Sequence, residues 1–545
     1  MRLGVSAVYA SVAAVLVGAH ETYDESLELS SLSGGRVYSS FAFKLHSDHD
    51  NLHHFRILPR ALLQPVKSLG VDAFQLTLTA GRWSYSSWGA PKGSQSVASG
   101  AEVWATFGDQ NNSASVPLTT RWRRLTSALA GTFCASLDAI DETTSVSVPA
   151  QYVWNDAPAH TEVLHAYLPS ENVCTENLTP LLKLLPCKGG AGLASLIQMH
   201  TILSSEFQSM SVHARKSPSG YTVELAVSTV MRPAQRPADN TTWTLREIFS
   251  RNITASCPIA NHSEIRIREP INVLDDSDED WEDDSIHAST PYTKRISQKV
   301  YDTTSLDAPT DLSLQLISPI DGPFLKFAPL QATRQILGFG QERDMVRLTL
   351  HNEFITETMH VVYYDQLPWT VMPLMHTINA TLSLDNMELP QDTIEYRDDF
   401  DTPFITSTKY RPAQLRGKMG AMELGLRVPA QSTLHVTYAI IKRHLHYDEH
   451  LPGPHRGSDL PPALFVPMSQ SASQHTWGQA HRHLPIEQVQ AERIYTPASL
   501  LHTAVPDFSM PYNIILFYST FVALFFGSFL NIMVRRYTDV YIEKS

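Results

Sequence analysis

The stretch from residue 514 to residue 534 constrains this chain more than any other. Its 21 residues, Ile514 to Val534, contain no charged side chain. At 1.5 Å per residue, a helix of this length extends ~31 Å, which is enough to cross a bilayer. Arg535 and Arg536 follow at once, and positive charge flanks the cytosolic side of a membrane span. The sequence therefore predicts one C-terminal transmembrane helix, residues 514–534, with a cytosolic tail of residues 535–545.

The segments on either side of this span refine the prediction. A GPI-attachment signal would also be apolar, but it is removed with whatever follows it, so the polar tail RRYTDVYIEKS favours a retained helix. The octet PDFSMPYN, residues 506–513, precedes the span and contains Pro506 and Pro511. Because proline discourages continuous helix, we expect the octet to be a fixed extended or turning juxtamembrane segment at the lumenal surface.

Residues 1–19 predict a secretory signal peptide. Arg2 supplies a positive charge near the start, an apolar run follows, and Val17-Gly18-Ala19 forms a small-residue cleavage pattern before His20. Together with the C-terminal span, this predicts a single-pass type I membrane protein whose bulk is lumenal or extracellular.

Several other features fit an oxidising, glycosylating compartment. Six Asn-x-Ser/Thr triplets lie before the span, at Asn111, Asn177, Asn240, Asn252, Asn261 and Asn379. The four cysteines are Cys134, Cys174, Cys187 and Cys257. With no Cys-x-x-Cys pair among them, disulfides are favoured over metal binding. We predict no metal and no cofactor.

Length and charge narrow the classes of protein. A chain of 545 residues exceeds the ~250 residues at which single domains usually stop growing, so two or three domains are expected. The formal net charge of -13 argues against nucleic-acid binding, because neutralising phosphates requires a basic face.

Apolar residues alternate with polar ones in five segments, which predicts half-buried strands of antiparallel sheets. The alternating residues are Phe74, Leu76 and Leu78; Val223, Leu225 and Val227; Val346, Leu348 and Leu350; Met422, Leu424, Leu426 and Val428; and Leu434, Val436, Tyr438 and Ile440. Helical spacing is clearest from Arg121 to Asp141, on whose apolar stripe Cys134 would lie. We predict a mostly β fold with some helix (α+β): stacked antiparallel β-sandwich-like lumenal domains plus the C-terminal transmembrane helix.

The acidic run DDSDEDWEDD, Asp275 to Asp284, suggests a domain boundary. Like charges at this density resist packing, so we expect an exposed linker or loop at residues 266–300, between an N-terminal lumenal domain (20–265) and a second β-rich domain (301–505). A calcium site is the alternative, but the EF-hand spacing is missing. The histidines between His444 and His483 are interspersed with prolines and predict a solvated loop rather than a zinc helix.

A search for catalytic motifs finds none of the common ones. The chain has no Gly-x-Ser-x-Gly elbow, no P-loop and no dinucleotide fingerprint. A binding role is favoured, and two alternatives stay open: a stand-alone lumenal hydrolase and a cell-surface adhesion glycoprotein.

Several stretches, in the same order, resemble one family. They are HHFRILPRAL from His53, GRWSYSSWG from Gly81, SGAEVWATF from Ser99, GTFCASLDAID from Gly131, VCTENLTPLLKLLPC from Val173, and PDFSMPYN with GSFLN from Gly527. All look like segments of the PIG-T family, a subunit of the GPI transamidase. The resemblance implies a non-catalytic scaffold subunit of this endoplasmic-reticulum complex. The implied partners are a PIG-K-like catalytic subunit, GAA1-like, PIG-S-like and PIG-U-like subunits, and the GPI lipid.

The resemblance also implies roles for particular residues. In the family, the cysteine that matches Cys174 bonds to a cysteine of the catalytic subunit, which would leave Cys187 and Cys257 to close an internal loop and Cys134 as a buried thiol. A Cys174–Cys187 bridge fits the even count of cysteines equally well. The loop HRGSDLPPA resembles a family Asn-Arg/His-Gly pattern with His455 in place of the asparagine, and this resemblance makes His455 a candidate contact of the GPI headgroup.

The octet then has two explanations. Asp507, Ser509 and Asn513 offer donors and acceptors suited to GPI sugar hydroxyls or an ethanolamine ammonium, at the height of the lumenal headgroups. Alternatively, Ser509 or Asn513 simply caps the membrane helix as its N-cap residue.

Overall fold

The computed structural model describes 18 stretches of the chain. These are residues 21–32, 34–48, 56–91, 96–108, 116–149, 162–217, 220–233, 242–270, 296–304, 313–315, 328–338, 340–354, 358–384, 394–396, 404–450, 453–468, 493–505 and 509–536. The predicted signal peptide, the acidic run and the predicted cytosolic tail beyond Arg536 lie outside them.

A ten-stranded sheet, here called the first sheet, forms the N-terminal unit. Its strands are β1 (Glu21–Leu32), β2 (Arg36–Ser47), β3 (Val71–Gly81), β4 (Gly100–Phe107), β5 (Ser145–Pro149), β6 (Glu162–Leu168), β7 (Phe207–Lys216), β8 (Tyr221–Met231), β10 (His262–Pro270) and β11 (Ile296–Asp302). Their order across the sheet is β11-β10-β1-β2-β8-β7-β3-β4-β6-β5. All neighbours are antiparallel except β1 and β10, which pair in parallel with Leu27 opposite Ile265.

Helices cover one face of the first sheet. They are α1 (Arg60–Leu69), α3 (Leu118–Phe133), α4 (Thr175–Leu184), α5 (Met199–Leu203) and α6 (Leu245–Phe249). The short helix α2 (Tyr85–Trp88) lies on the opposite face, where Trp88 packs in a cluster with Trp83 and Phe207. The apolar sides of α1 and α3 share one core with strand residues such as Phe41 and Leu76. This layer of buried helix stripes explains why the N-terminal unit needs no second sheet on that face.

The helix predicted for residues 121–141 ends earlier than expected. Cys134 has φ 52°, in the left-handed region, and its backbone N–H bonds to Ala130 O, so it closes α3. The chain then continues as a 3-10 turn at Leu137–Ala139. Cys134 is exposed, so the expectation of a buried thiol on the apolar stripe was wrong. Further along the chain, a second 3-10 turn (Leu193–Leu196) precedes α5.

The second unit is a sandwich of two five-stranded sheets. The outer sheet has the order β13-β14-β20-β16-β17, and the inner sheet has the order β18-β19-β15-β22-β23. The outer strands are β13 (Leu330–Leu337), β14 (Arg343–Asn352), β16 (Val371–Leu384), β17 (Ile394–Tyr396) and β20 (Ser432–Lys442). The inner strands are β15 (Met359–Leu367), β18 (Ile405–Arg411), β19 (Gly420–Val428), β22 (Leu464–Met468) and β23 (Ile494–Tyr495).

The second unit packs against the face of the first sheet that the helices leave open. In β15, Tyr363 points into the sandwich core. Its neighbour Tyr364 joins a separate cluster with Trp104 and Phe207 of the first sheet. The layers therefore run helices, first sheet, inner sheet and outer sheet. The expected half-buried alternation holds for β14 and β20, whereas β3 is buried on both faces because both are covered.

The predicted boundary at residues 266–300 was misplaced. Strand β11 pairs antiparallel with β10 inside the first sheet, with Glu264 opposite Asp302. Further on, β12 (Ser313–Gln315) pairs with β9 (Thr242–Thr244). The acidic run therefore connects two paired strands of one sheet, and the N-terminal unit extends beyond residue 301. A charge-dense hairpin connection and an interdomain linker have the same composition, so sequence alone does not separate them.

The C-terminal helix α7 (Ser509–Val534) contains a candidate membrane span, Tyr512–Val534, none of which is buried. The helix begins inside the octet, so the expectation that residues 509–513 would be non-helical was wrong. Pro511 falls in the first turn, where backbone N–H groups have no helical partner and proline is tolerated. Asn513 lies within the helix and is not its N-cap. The predicted class, mostly β with some helix and one C-terminal apolar helix, is confirmed.

Candidate functional site

The cysteines of the helical layer divide into one pair and two free thiols. Cys187 and Cys257 form a disulfide, with Cα atoms 6.1 Å apart and a sequence separation of 70. Cys134 and Cys174 are free. The structure therefore has the expected internal pair, and the alternative Cys174–Cys187 bridge is excluded because Cys187 is already used.

The disulfide lies in a tightly packed corner. Gly192 has φ +69°, and a Cβ there would lie 2.9 Å from Cys257 Cβ. The Glu25 carboxylate accepts hydrogen bonds from Ser263 Oγ (2.7 Å) and Leu193 N (3.1 Å). Burial raises the pKa of Glu25, and these hydrogen bonds partly offset the rise. The corner joins β1, β10 and the loop after α4, so its role is structural.

Cys174 occupies the N-cap position of α4. Asn177 Oδ1 accepts hydrogen bonds from the backbone N of Cys174 (2.8 Å) and from its Sγ (2.9 Å). Asn177 is fully buried, and its Nδ2 donates to Phe133 O at 2.7 Å. Cys174 itself is only partly buried. The asparagine thus fixes a half-exposed thiol at the start of a helix.

Cys134, the second free thiol, lies close to the N-terminus of α4, where Cys174 is located. Asn177 Nδ2 approaches Cys134 O at 3.4 Å, and Glu171 Oε1 accepts from Ser136 N at 3.1 Å. The C-terminus of α3 and the N-terminus of α4 are joined here. Sequence reasoning missed that Cys134 is exposed, because a non-glycine residue in the left-handed region gives no signal in the apolar pattern.

The six glycosylation candidates have different environments. Asn177 was an incorrect expectation for the folded chain, since its side chain is buried and its Nδ2 is engaged. Asn252 is half-buried, and Asn379 is half-buried on β16. Asn261 is exposed, and its Oδ1 accepts from Tyr23 N at 2.9 Å. Asn111 and Asn240 lie outside the described residues.

The end of the sandwich where the chain leaves for α7 is here called the exit end. It consists of residues 368–370, 412–418, 443–450, 453–457 and 499–505. Lys442, at the end of β20, forms a buried ion pair with Asp344 and donates to His502 O. Arg443 N donates to Thr370 O at 2.8 Å. The hydrogen bond from Lys442 to His502 O holds the last described residues before α7 against the sandwich.

His455 is exposed at this exit end, within a 3-10 turn (Pro454–Arg456). Two residues later, a Cβ at Gly457 would lie 2.7 Å from Leu501 O, which places this loop against the departing chain. Strand β21 (Ser458–Leu460) then pairs with β24 (Ser499–Leu501). Of the other predicted headgroup contacts, Ser509 begins α7 and Asn513 is exposed in its first turns. Asp507 lies outside the described residues.

Arg416 organises the loops of the exit end. Its guanidinium lies 5.2 Å from the centre of the Trp369 ring and forms an ion pair with Glu449. The hydrogen bond from Arg416 lowers the pKa of the Glu449 carboxyl to about 2. Three separate loops are thereby connected: the β15–β16 turn, the β18–β19 connection and the segment after β20.

A buried polar network joins the two units. His165 Nε2 donates to Glu102 Oε1 at 2.9 Å, and Gln366 Nε2 donates to His165 Nδ1. Tyr495 Oη donates to Glu102 Oε2 at 3.0 Å. Burial lowers the pKa of His165 and outweighs the opposite effect of Glu102. Burial raises the pKa of Glu102, but His165 and the charge of Arg493 lower it overall. The pair is a neutral imidazole and an ionised carboxylate.

Metal binding finds no support among the residues that the structure describes. No group of three or more His, Cys, Asp or Glu side chains in that part of the chain could hold a metal ion. His444 and His446 are exposed, as expected for a solvated loop. His481 and His483 lie outside the described residues.

Comparisons with known proteins agree with one another. The family model described as "Gpi16 subunit, GPI transamidase component" matches residues 7–232 and 228–545. The human protein "GPI-anchor transamidase component PIGT" is 29% identical, over 94% of this chain and 90% of its own length. "GPI transamidase component GPI16" of Saccharomyces cerevisiae is 26% identical, over 95% of this chain and 89% of its own.

One solved structure aligns with most of this chain, but the structural similarity is very low. A Staphylococcus aureus collagen adhesin aligns over 88% of this chain and 93% of its own, with 6% identity and a TM-score of 0.19. A score this low carries no argument about fold or function.

Proposed function

This chain belongs to the Gpi16 family of GPI transamidase components, and from that premise we propose that it is a non-catalytic scaffold subunit of the complex in the endoplasmic-reticulum membrane. The observation that carries the proposal is the family match, which runs through both lumenal units and the C-terminal helix. Membership of this family supports a role in GPI attachment. Beyond that, we propose that this subunit serves as a scaffold and that another subunit carries out the catalysis.

The non-catalytic role is supported by how the buried ionisable groups are used. Glu102 and His165 pair with each other at the junction of the two units. Arg334 and Asp365 pair in the sandwich core, with both side chains fully buried. Such pairs hold parts of the fold together and are closed to a substrate. The acyl transfer would then fall to a PIG-K-like catalytic subunit.

We further propose that Cys174 forms the disulfide to the PIG-K-like subunit. Three observations support this: its thiol is free, it is partly accessible, and Cys187 is committed to Cys257. The segment VCTENLTP carries the family resemblance at this position. A covalent tether makes re-association of the two subunits effectively intramolecular, so contacts of modest affinity are sufficient to keep the catalytic subunit in place.

The exit end and the start of α7 are proposed to help hold the GPI lipid. Asn513 is exposed one residue inside the candidate span, which begins at Tyr512. His455 lies on the loop packed against the departing chain. Ser509 begins α7, and Asp507 precedes it by two positions in the sequence. Polar side chains at this height can hydrogen-bond to sugar hydroxyls or to an ethanolamine ammonium.

Purification of the full chain in mild detergent tests membership of the complex. We expect PIG-K-like, GAA1-like, PIG-S-like and PIG-U-like subunits to co-purify, and N-glycans to remain sensitive to endoglycosidase H, as for a resident of the endoplasmic reticulum. A partner-free monomer with mature glycans would contradict the proposal and favour a cell-surface adhesion protein. Hydrolytic activity of the partner-free chain would favour a stand-alone hydrolase.

A further inference from the structure

The exit end presents apolar side chains to solvent. Leu415 is 60% exposed, Tyr447 is 54% exposed and Leu500 is 52% exposed. Trp369 is half-buried beside them, with Arg416 against its ring. They belong to four chain segments that are far apart in sequence, so their convergence at one end of the sandwich is a property of the fold.

Basic residues accompany this apolar group. Within the exit end, the four basic residues Arg416, Lys418, Arg443 and Arg456 outnumber the two acids Asp448 and Glu449. The chain as a whole carries a net charge of -13, so this end differs in sign from the rest. Aromatic, aliphatic and basic side chains in exposed loops are the composition found at membrane–water interfaces.

The length of the connection limits how far this end can lie from the bilayer. Val505 belongs to the described exit end, and Ser509 begins α7. Four Cα-to-Cα steps cover at most ~14 Å when fully extended. The ion pair and hydrogen bond of Lys442 hold His502 against the sandwich. Only the few residues between His502 and Ser509 can therefore extend to separate the exit end from α7.

We propose that the exit end rests on the lumenal leaflet of the bilayer, with Leu415, Tyr447 and Leu500 in the headgroup layer and the basic residues near lipid phosphates. The occupant of this surface is phospholipid. The inference rests on α7 spanning the membrane and is independent of the transamidase role. Contact at both α7 and the loops fixes the orientation of the lumenal units, since a single helix alone leaves them free to tilt.

Site-specific photo-crosslinking in the full chain, within its complex in native endoplasmic-reticulum membranes, tests this proposal. A photoreactive amino acid replaces Leu415 in one variant and Tyr447 in another. Arg427, exposed near the opposite end of β19, is the matched control; it lies seven residues from Gly420, or ~23 Å at the strand rise. Phe521, in the middle of the candidate span, reports membrane insertion.

We expect phospholipase-sensitive lipid adducts at positions 415, 447 and 521 and none at 427. Lipid at position 521 with none at 415 and 447 would overturn the proposal while leaving the span intact. Protein-sized adducts at 415 and 447 would also overturn it, because a partner subunit would then cover the exit end. Absence of lipid at 521 would remove the premise that α7 spans the membrane, and the proposal with it.

Discussion

Asn177 accepts hydrogen bonds from both the backbone N and the Sγ of Cys174, at 2.8 Å and 2.9 Å, while its own amide group is buried against Phe133 O. The residue that looked like a glycosylation site is therefore a structural partner of the cysteine proposed to tether the catalytic subunit. The rare segment VCTENLTP has a physical explanation in this arrangement, in which a helix N-cap holds a half-exposed thiol in one orientation.

Replacing Asn177 with Ala is expected to lower the free energy of unfolding by about 2 kcal/mol, because buried donors and acceptors lose their partner. The measurement is thermal unfolding of the full chain in detergent. We also expect a smaller fraction of disulfide-linked heterodimer, since Cys174 loses its fixed orientation. Thr132→Ala, at a part-buried hydroxyl that bonds within α3, is the control. Unchanged stability and unchanged heterodimer would contradict this role.

Removing the Cys187–Cys257 disulfide by a double substitution to Ser should destabilise the N-terminal unit. The bond closes a loop with a sequence separation of 70, for which the chain-entropy estimate is about 4 kcal/mol. Unfolding by denaturant, compared with the wild-type chain, measures the loss. If the double variant unfolds at the wild-type denaturant concentration, the bond is not stabilising. The Cys174 tether should still form in this variant if the unit remains folded.

The junction of the two units should weaken as the pH falls. The pKa of His165 is lowered in the folded chain because the ring is buried, whereas an unfolded histidine takes up a proton below about pH 6.5. The unfolded state therefore binds more protons under acidic conditions. Below that pH the free energy of unfolding decreases as the pH falls, with a slope that approaches about 1.4 kcal/mol per pH unit.

His165→Gln removes this titration and keeps a neutral donor beside Glu102. Its stability should therefore depend less on pH between 7 and 5 than that of the wild type, as followed by unfolding at each pH. His444→Gln, at an exposed histidine, is the control and should behave like the wild type. The prediction fails if His165→Gln and wild type lose stability in parallel.

Much of this architecture follows from local pattern. Strict alternation around Val346 and Leu434 predicts β14 and β20 correctly, because one face of each is buried and the other is not. The same rule misses the double burial of β3, since its cover comes from residues near 364 and 464. The hydrogen bond between Gln366 and His165, 201 residues apart in sequence, has no local signal at all.

Some parts of the candidate sites can likewise be predicted from local sequence, and others depend on the folded chain. Cys174 and the octet are visible because rare sequence segments carry them. The exposure of Cys134 depends on a single left-handed residue, and the exit end depends on five segments that meet only in the folded chain. The helical start at Ser509 was missed because proline in a first turn obeys a different rule from proline in a helix interior.

Asn513→Ala is expected to reduce GPI attachment in cells that lack their own copy of the chain, while membrane insertion and subunit assembly stay intact. Asp507→Ala should act in the same direction. The physical reason is the loss of the hydrogen bonds that these side chains are proposed to make to the GPI headgroup. Thr520→Ala, about two turns deeper in the span, where the hydroxyl bonds to Leu516 O, is the matched control. Normal GPI attachment by both Asn513→Ala and Asp507→Ala would contradict the proposal that the polar side chains of the octet help hold the GPI lipid.

The central claim is that this subunit holds its catalytic partner through Cys174. The most direct measurement is electrophoresis of the purified complex with and without reductant, for wild type, Cys174→Ser and Cys134→Ser. The account predicts a reductant-sensitive heterodimer with the PIG-K-like subunit in wild type and in Cys134→Ser, and its loss in Cys174→Ser. A heterodimer that persists in Cys174→Ser, or that disappears only in Cys134→Ser, would contradict it.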